Sequence, residues 1–355
     1  VTADGRAHGA PGAAWQARRV HRWTDLAQVP EDFGPSVVTI GNFDGVHRGH
    51  RAVLRRMVAD ARATGGAAVA VTFDPHPAQV HRPDAAPDLI TGLADRLDLM
   101  EQTGLDAVLV VTYTLEFASA TPEDFVRTYL VDGLHARTVV IGQDVRFGRG
   151  NAGDLRTMLD LGARYGFVVE VIEDVHGRLE STAGDRYPNR RWSSTWVREL
   201  LTDGDVAAAA EVLGRPHLLR GVVVHGDARG RTLGFPTANL GDVVGFVPAD
   251  GVYAGWMRRV GHPEGAPDGY LPVAISIGTN PTFDGWDRRV EAHVPGRTDL
   301  ELYGEEVALE LVDRLRPTLR FDSVDALVAQ MHEDVARTRE VLAAGPLVLG
   351  GSAER

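Results

Sequence analysis

Five short, almost uninterrupted apolar runs set the tightest limit on how this chain folds. They are SVVTIG (36–41), AAVAVTF (67–73), DAVLVVTY (106–113), TVVIG (138–142) and VVEVI (168–172), and helical apolar spacing fills the stretches between them, as in HRAVLRRMVADARATG. A half-exposed strand alternates polar with apolar residues, whereas these do not, so both faces of each are expected to be covered. Strands of that kind alternating with helices predict a doubly wound, Rossmann-like α/β domain with a parallel sheet, ending near Leu200. LLTDGDVAAAAEVLGRP then reads as a short helix and connector, after which the pattern changes. LRGVVVHGD, GVYAGWMRR, LPVAISIG, RRVEAHV and VALELVDRLR are β-type runs separated by Gly/Pro turns, and no long helix follows until DSVDALVAQMHEDVARTREVLAAG. That profile predicts a small antiparallel β-barrel closed by a terminal helix. The expected division is a disordered tail at 1–18, a first domain at 19–200, a linker at 201–214, a second domain at 215–345 and a tail at 346–355.

The 355 residues include no cysteine and no lysine, so all 37 basic residues are arginine. A phosphate loop of the Walker type needs a lysine, and Schiff-base chemistry needs an amine such as lysine's; both are excluded on side chains, as are thiolate nucleophiles. A formal charge of −12 argues against broad nucleic-acid binding. Anionic ligands must then be held by helix N-termini, backbone amides, histidines, arginines or metal. No run approaches the length of a membrane span, and VTADGRAHGAPGAAWQARR lacks the apolar core of a secretory signal, which points to a cytoplasmic chain.

GNFDGVHRGH follows the first apolar run and places His47 and His50 three apart where a strand turns into a helix. Open α/β sheets bind ligands at such a turn. The helix start offers free amides to phosphate oxygens, and two imidazoles can donate hydrogen bonds to an α-phosphate as its charge grows. Gly45 and Gly49 permit close backbone approach. A tight turn with incidental histidines is the plain alternative.

TIGNFDGVHRGH resembles the flavin branch of the H-x-G-H nucleotidyltransferases, the prokaryotic bifunctional riboflavin kinase/FAD synthetases, and Ser193-Ser194-Thr195-Trp196-Val197-Arg198 resembles their second signature. The resemblance implies that Asn42, Gly45, Arg191, Ser194 and Thr195 bind ATP phosphates with Arg198 in support. TFDPHP and IGQDVRFGRGNAGD resemble the family's flavin-site segments, which makes His76, Asp144 and Phe147 candidates for flavin contact. A strand-end aspartate and a core phenylalanine are the competing readings. The stretch HGRLESTAGDRYPNRRW is more polar and richer in arginine than the family pattern.

GRPHLLRGVVVHGDARGRTLGFPTANL closely resembles the riboflavin kinase signature. Gly226, Gly230 and Gly234 let backbone amides converge on phosphate. Thr237 and Asn239 lie two apart, on one face of an extended segment, and their neutral oxygens suit a magnesium ion that keeps water and ATP oxygens as further ligands. By resemblance Glu291, in RRVEAHV, is the catalytic base; a solvent-facing strand residue is the alternative. IGTNPTFDG reads as a flap, and AHVPGRTDLELYG departs from the usual run. The implied chemistry is ATP-dependent phosphorylation of riboflavin to FMN and adenylylation of FMN to FAD, both with Mg2+. One active half, a flavin analogue as substrate, or a non-catalytic flavin sensor are the alternatives.

Overall fold

Each apolar run of the first half forms a strand in the computed structural model, which describes residues 20–179, 189–226, 230, 233–263, 265–266, 268–282 and 285–345, without the side chains of 280–287. Both expected tails, residues 180–188 of the arginine-rich stretch and several residues of the glycine-rich loop therefore lie outside the described residues. Strands β1 (His21–Trp23), β2 (Ser36–Ile40), β3 (Ala67–Asp74), β4 (Ala107–Thr112), β5 (Ala136–Gly142) and β6 (Val168–Ile172) form one sheet in the order β1-β4-β3-β2-β5-β6. Every pairing in it is parallel. Helices α1 (Arg48–Thr64), α2 (Pro77–His81), α3 (Leu93–Glu101), α4 (Pro122–Phe125, continued by a π-helical stretch at Val126–Gly133) and α5 (Leu155–Tyr165) connect the strands.

The missing alternation now has its cause. Val38, Val69, Val71, Leu109, Val139 and Ile141 meet Leu130, Met158 and Leu161 on one face. Val37, Ala68, Ala70, Val108, Val110 and Val140 meet Leu54, Met57, Val58 and Met100 on the other. Both parities of β2, β3, β4 and β5 are buried, as expected of a doubly wound sheet, whereas β6 departs from that expectation: it is an edge strand, with Val168 65% and Val171 36% exposed. Because β2 has β3 on one side and β5 on the other, the chain reverses its direction of travel there, and the carboxyl ends of β2 and β5 flank the switch point.

The second half begins with a two-stranded pair, β7 (His176–Gly177) and β8 (Arg190–Arg191), then helices α6 (Ser194–Asp203) and α7 (Val206–Leu213). Strands β9 (His217–Val224), β10 (Thr237–Val244), β11 (Gly251–Arg259), β12 (Tyr270–Thr282), β13 (Gly285–His293) and β14 (Glu306–Pro317) close into an antiparallel barrel, in the order β10-β13-β12-β11-β14-β9. Helix α8 (Val324–Val341) packs on β11, β12 and β14, and Arg316 on β14 bonds Asp334 on α8 at 2.7 Å. The α/β domain followed by a barrel and terminal helix is the architecture expected from the sequence.

Contacts divide the chain into two units, one holding residues up to Pro87 with Leu93–Val175, the other Asp88–Gly92 with His176 onward. This division falls before residue 200. Residues 201–214, expected as a linker, are the end of α6 and all of α7, with Leu201, Val206, Ala208, Ala209, Val212 and Leu213 buried. Helix α7 packs on β9 and β14, and Arg314 donates to the Asp203 carbonyl at 3.1 Å. Alanine-rich sequence reads as featureless, yet alanine favours helix and lets the backbone approach a barrel wall closely. The segment IGTNPTFDG, expected as a flap, is on its described residues part of a β-hairpin in which β12 and β13 pair as far as Thr282 opposite Gly285, and residues 283–284 lie outside the described residues.

Candidate active sites

At the end of β2 the backbone takes an unusual path, with positive φ at Phe43 (49°), Gly45 (79°) and Val46 (39°). Positive φ is costly for a β-branched residue such as valine, so surrounding contacts must hold this turn. Phe43, Asp44, Val46 and His47 are all buried. The turn delivers His47 to the N-cap of α1, where its Nδ1 accepts the His50 backbone N–H at 3.3 Å. With Nδ1 used as an acceptor, a neutral His47 carries its proton on Nε2 and can donate from there. The His50 ring stacks on His47, centroids 3.7 Å apart, with Phe43 edge-on to it at 5.2 Å. Asn42, Gly45, His47 and His50 are thus gathered at one helix N-terminus, beside the switch point.

The flavin candidates of this unit follow β3 and β5, the two strands that flank β2. His76 caps α2, its Nδ1 accepting the Ala78 N–H at 3.1 Å. Asp144 follows β5 and is exposed, whereas Phe147 is 8% exposed and packs with Phe125 in the core. The second signature belongs to the other unit. Ser193 caps α6, accepting the Trp196 N–H at 3.2 Å, which leaves Ser194 and Thr195 as the first helical residues with their amides at the N-terminus. Arg191 ends β8, and Arg198 Nε donates to the Asp88 carbonyl at 2.8 Å.

In the barrel, strand pairing brings together residues far apart in the chain. Asn239 on β10 stands opposite Glu291 on β13, and the Thr237 hydroxyl donates to Glu291 Oε2 at 3.3 Å. All three side chains are half-buried. Gly226 lies so close to Asn239 that a Cβ there would fall 2.3 Å from its Nδ2, and a Cβ on Gly230 would meet the Phe235 carbonyl at 2.4 Å. Gly234 has φ of 87°. A cavity of about 190 Å³ adjoins this cluster, lined by Thr237, Ala238, Ala292, Val294, Leu302 and Tyr303 among others, with Arg297 on its wall. Arg297 is held by Asp268 at 2.7 Å and Asp299 at 2.7 Å. Among the described residues no group of three His, Asp or Glu side chains gathers to hold a metal. Thr237, Asn239 and Glu291 instead form an oxygen-only set of hydroxyl, amide and carboxylate.

Two polar residues of these neighbourhoods were missed in the sequence. His293 is buried behind Thr237, its Nδ1 bonded to the Pro236 carbonyl at 2.8 Å, and burial lowers its pKa. Arg96 on α3 is 1% exposed and donates to the Asn42 carbonyl at 3.2 Å and the Phe73 carbonyl at 2.9 Å. Its sequence signal was slight: it keeps helical spacing with Leu93 and Met100, on the apolar side of α3.

The family model described as FAD synthetase matches residues 29–183, and that described as riboflavin kinase matches 213–342. Arg191, Ser194, Thr195 and Arg198 fall between the two matches. The chain is 36% identical over 316 residues to a bifunctional riboflavin kinase/FMN adenylyltransferase of Escherichia coli K12, covering 89% of this chain and 95% of that one. A protein of the same description from Bacillus subtilis is 33% identical over 315 residues, covering 86% and 92%. A crystal structure described as a macrolide-efflux protein from Streptococcus pneumoniae superposes with a TM-score of 0.75 at 30% identity, covering 91% of this chain and 99% of that one. Among the described residues here, no helix is long and apolar enough to cross a membrane.

Proposed function

The chain belongs to the bifunctional riboflavin kinase/FMN adenylyltransferase family, and from that premise we propose how its residues divide the two reactions. The enzyme phosphorylates riboflavin to FMN with ATP and then joins FMN to the adenylyl group of a second ATP, giving FAD and pyrophosphate. Cytoplasmic residence belongs to the same reading.

Phosphorylation is the work of the barrel. Glu291 accepts the proton of the ribityl 5′-hydroxyl as that oxygen attacks the γ-phosphorus and ADP leaves. Thr237 steadies the Glu291 carboxylate through its hydroxyl, and the backbone at Gly226, Gly230 and Gly234 receives phosphate oxygens. The observation that carries this assignment is the close set of Thr237, Asn239 and Glu291, formed by strand register from distant parts of the chain. Magnesium fits that oxygen-only set, which leaves room for water and phosphate ligands. Thr237 and Asn239 would hold the ion, and when bound it offsets charge on the transferring group.

Adenylylation is assigned to the histidine turn. An FMN phosphate oxygen attacks the α-phosphorus of ATP, and the bond to the β-phosphate breaks with departure of pyrophosphate. His47 and His50 donate to the α-phosphate oxygens as their charge rises, while Asn42 and Gly45 shape the turn around them. Arg191, Ser194, Thr195 and Arg198 bind the triphosphate, the arginines through paired donors and the α6 start through its amides. His76 and Asp144 are assigned to the flavin, and Phe147 to the apolar wall behind it.

Glu291→Gln keeps the shape of the side chain and removes the base. FMN formation from riboflavin is expected to fall by about a hundredfold or more, while FAD formation from supplied FMN stays at the wild-type rate. Parallel loss of both in folded protein would overturn the separation of sites.

A further inference from the structure

The turn that carries the histidine pair contains three consecutive-region residues with positive φ, and two of them, Phe43 and Val46, are not glycine. A conformation of this kind persists only when its ends are fixed from outside. The downstream end is fixed by α1, through the His47 cap. The upstream end is Asn42, whose carbonyl accepts two hydrogen bonds, one from the Thr72 hydroxyl at 3.2 Å and one from Arg96 Nη1 at 3.2 Å.

Arg96 does more than cap a carbonyl. Its second terminal nitrogen donates to the Phe73 carbonyl at 2.9 Å and lies 3.8 Å from Asp74. One guanidinium therefore clamps the carboxyl ends of β2 and β3 at once, the edge of the sheet from which the turn departs. The group is 1% exposed, its Nε has no partner, and burial opposes its charge while Asp44 and Asp74 support it. Lost solvation is a cost that a surface residue would not bear. A lysine ammonium cannot present two parallel, planar donors at this spacing.

We infer that Arg96 is a positioning residue for adenylyl transfer: it holds Asn42, and through it the strained turn, so that His47 and His50 keep the stacked arrangement required at the α-phosphate. The inference rests on the assignment of adenylyl transfer to that histidine pair. It concerns geometry at the transition state, so kcat is the quantity affected. Among the described residues, Arg96 bonds only the backbone carbonyls of Asn42 and Phe73 and lies by Asp74, and Arg191, Ser194, Thr195 and Arg198, assigned to the triphosphate, are not among its partners.

The full-length enzyme with Arg96→Lys and, separately, Arg96→Met is assayed for both activities, with His50→Ala beside them. Arg96→Lys is expected to lower kcat for FAD formation from FMN by at least about tenfold, with KM for ATP and FMN within about threefold and FMN formation from riboflavin unchanged. Arg96→Met is expected to lower kcat further. Should Arg96→Met fail to fold, Arg96→Lys alone decides, since it keeps the charge. If Arg96→Lys retains kcat within about twofold while His50→Ala abolishes FAD formation, the positioning role is wrong and the histidine assignment stands. If His50→Ala also leaves FAD formation intact, the histidine assignment itself has failed. A rise in KM at constant kcat would likewise overturn the inference, because it would make Arg96 a support of the ground-state binding site.

Discussion

At the residue scale, what could be read in advance depended on whether a side chain's role is local. His47 and His50 are legible because a histidine pair at a strand-to-helix turn carries its own context. Arg96 is not, since nothing in LADRLDLM says that its guanidinium is buried against carbonyls of β2 and β3. Glycines divide in the same way. Gly234 needs its freedom of φ and has open space around it, whereas Gly226 is demanded by a neighbour: the missing Cβ makes room for the Asn239 amide, 2.3–2.6 Å from where that carbon would stand. Gly226→Ala must therefore displace Asn239 from the position opposite Glu291. The expected result is a fall of about tenfold or more in FMN formation, with unchanged FAD formation from FMN. Equal activity in the alanine variant would show that Asn239 has no place in the kinase step.

At the scale of elements, the runs that are buried on both faces were readable, and those whose placement depends on a partner were not. Residues 201–214 looked like a connector because alanine-rich sequence has no marked stripe, yet α7 is built into the barrel unit. Strand register is equally silent in sequence, although it is what sets Asn239 against Glu291. The start of β9 shows how firmly one such element is fixed. His217 is fully buried there, its Nε2 N–H donating to the Phe246 carbonyl at 2.7 Å and its Nδ1 unpartnered, and burial pushes its pKa down to about 4. The unfolded chain binds this proton near pH 6.5, the folded chain only near 4. Its contribution is therefore complete above pH 6.5 and is lost as pH falls from there toward 4, by roughly 3 kcal/mol in all. Urea midpoints between pH 7 and 4 should drop more steeply in the wild type than in His217→Gln, which does not titrate. Parallel curves would mean that this imidazole is charged or hydrated in the native barrel.

For the molecule as a whole, the two-part architecture was visible as a change of strand type along the chain, while the boundary between the parts was not, because it is set by packing rather than by composition. The absence of lysine has a consequence at the same scale. Every phosphate cradle here must be made from backbone amides, neutral side chains, histidine or arginine, and the two sites draw on these differently. The set assigned to adenylylation includes Arg191 and Arg198, with Arg96 behind the histidine turn. Among the described residues, the barrel set consists of glycine amides with Thr237, Asn239 and Glu291, and Arg297, on the cavity wall, is already held by Asp268 and Asp299. Modification of the enzyme with phenylglyoxal, which attacks guanidinium groups, should stop FAD formation about tenfold faster than FMN formation, and ATP should slow the loss. Trinitrobenzenesulfonate, which needs amines, should leave both activities intact, since it finds no lysine to attack. If phenylglyoxal instead removed both activities at one rate, a guanidinium would have to serve the γ-phosphate in the barrel as well, and the glycine amides could not be the principal anion holders there.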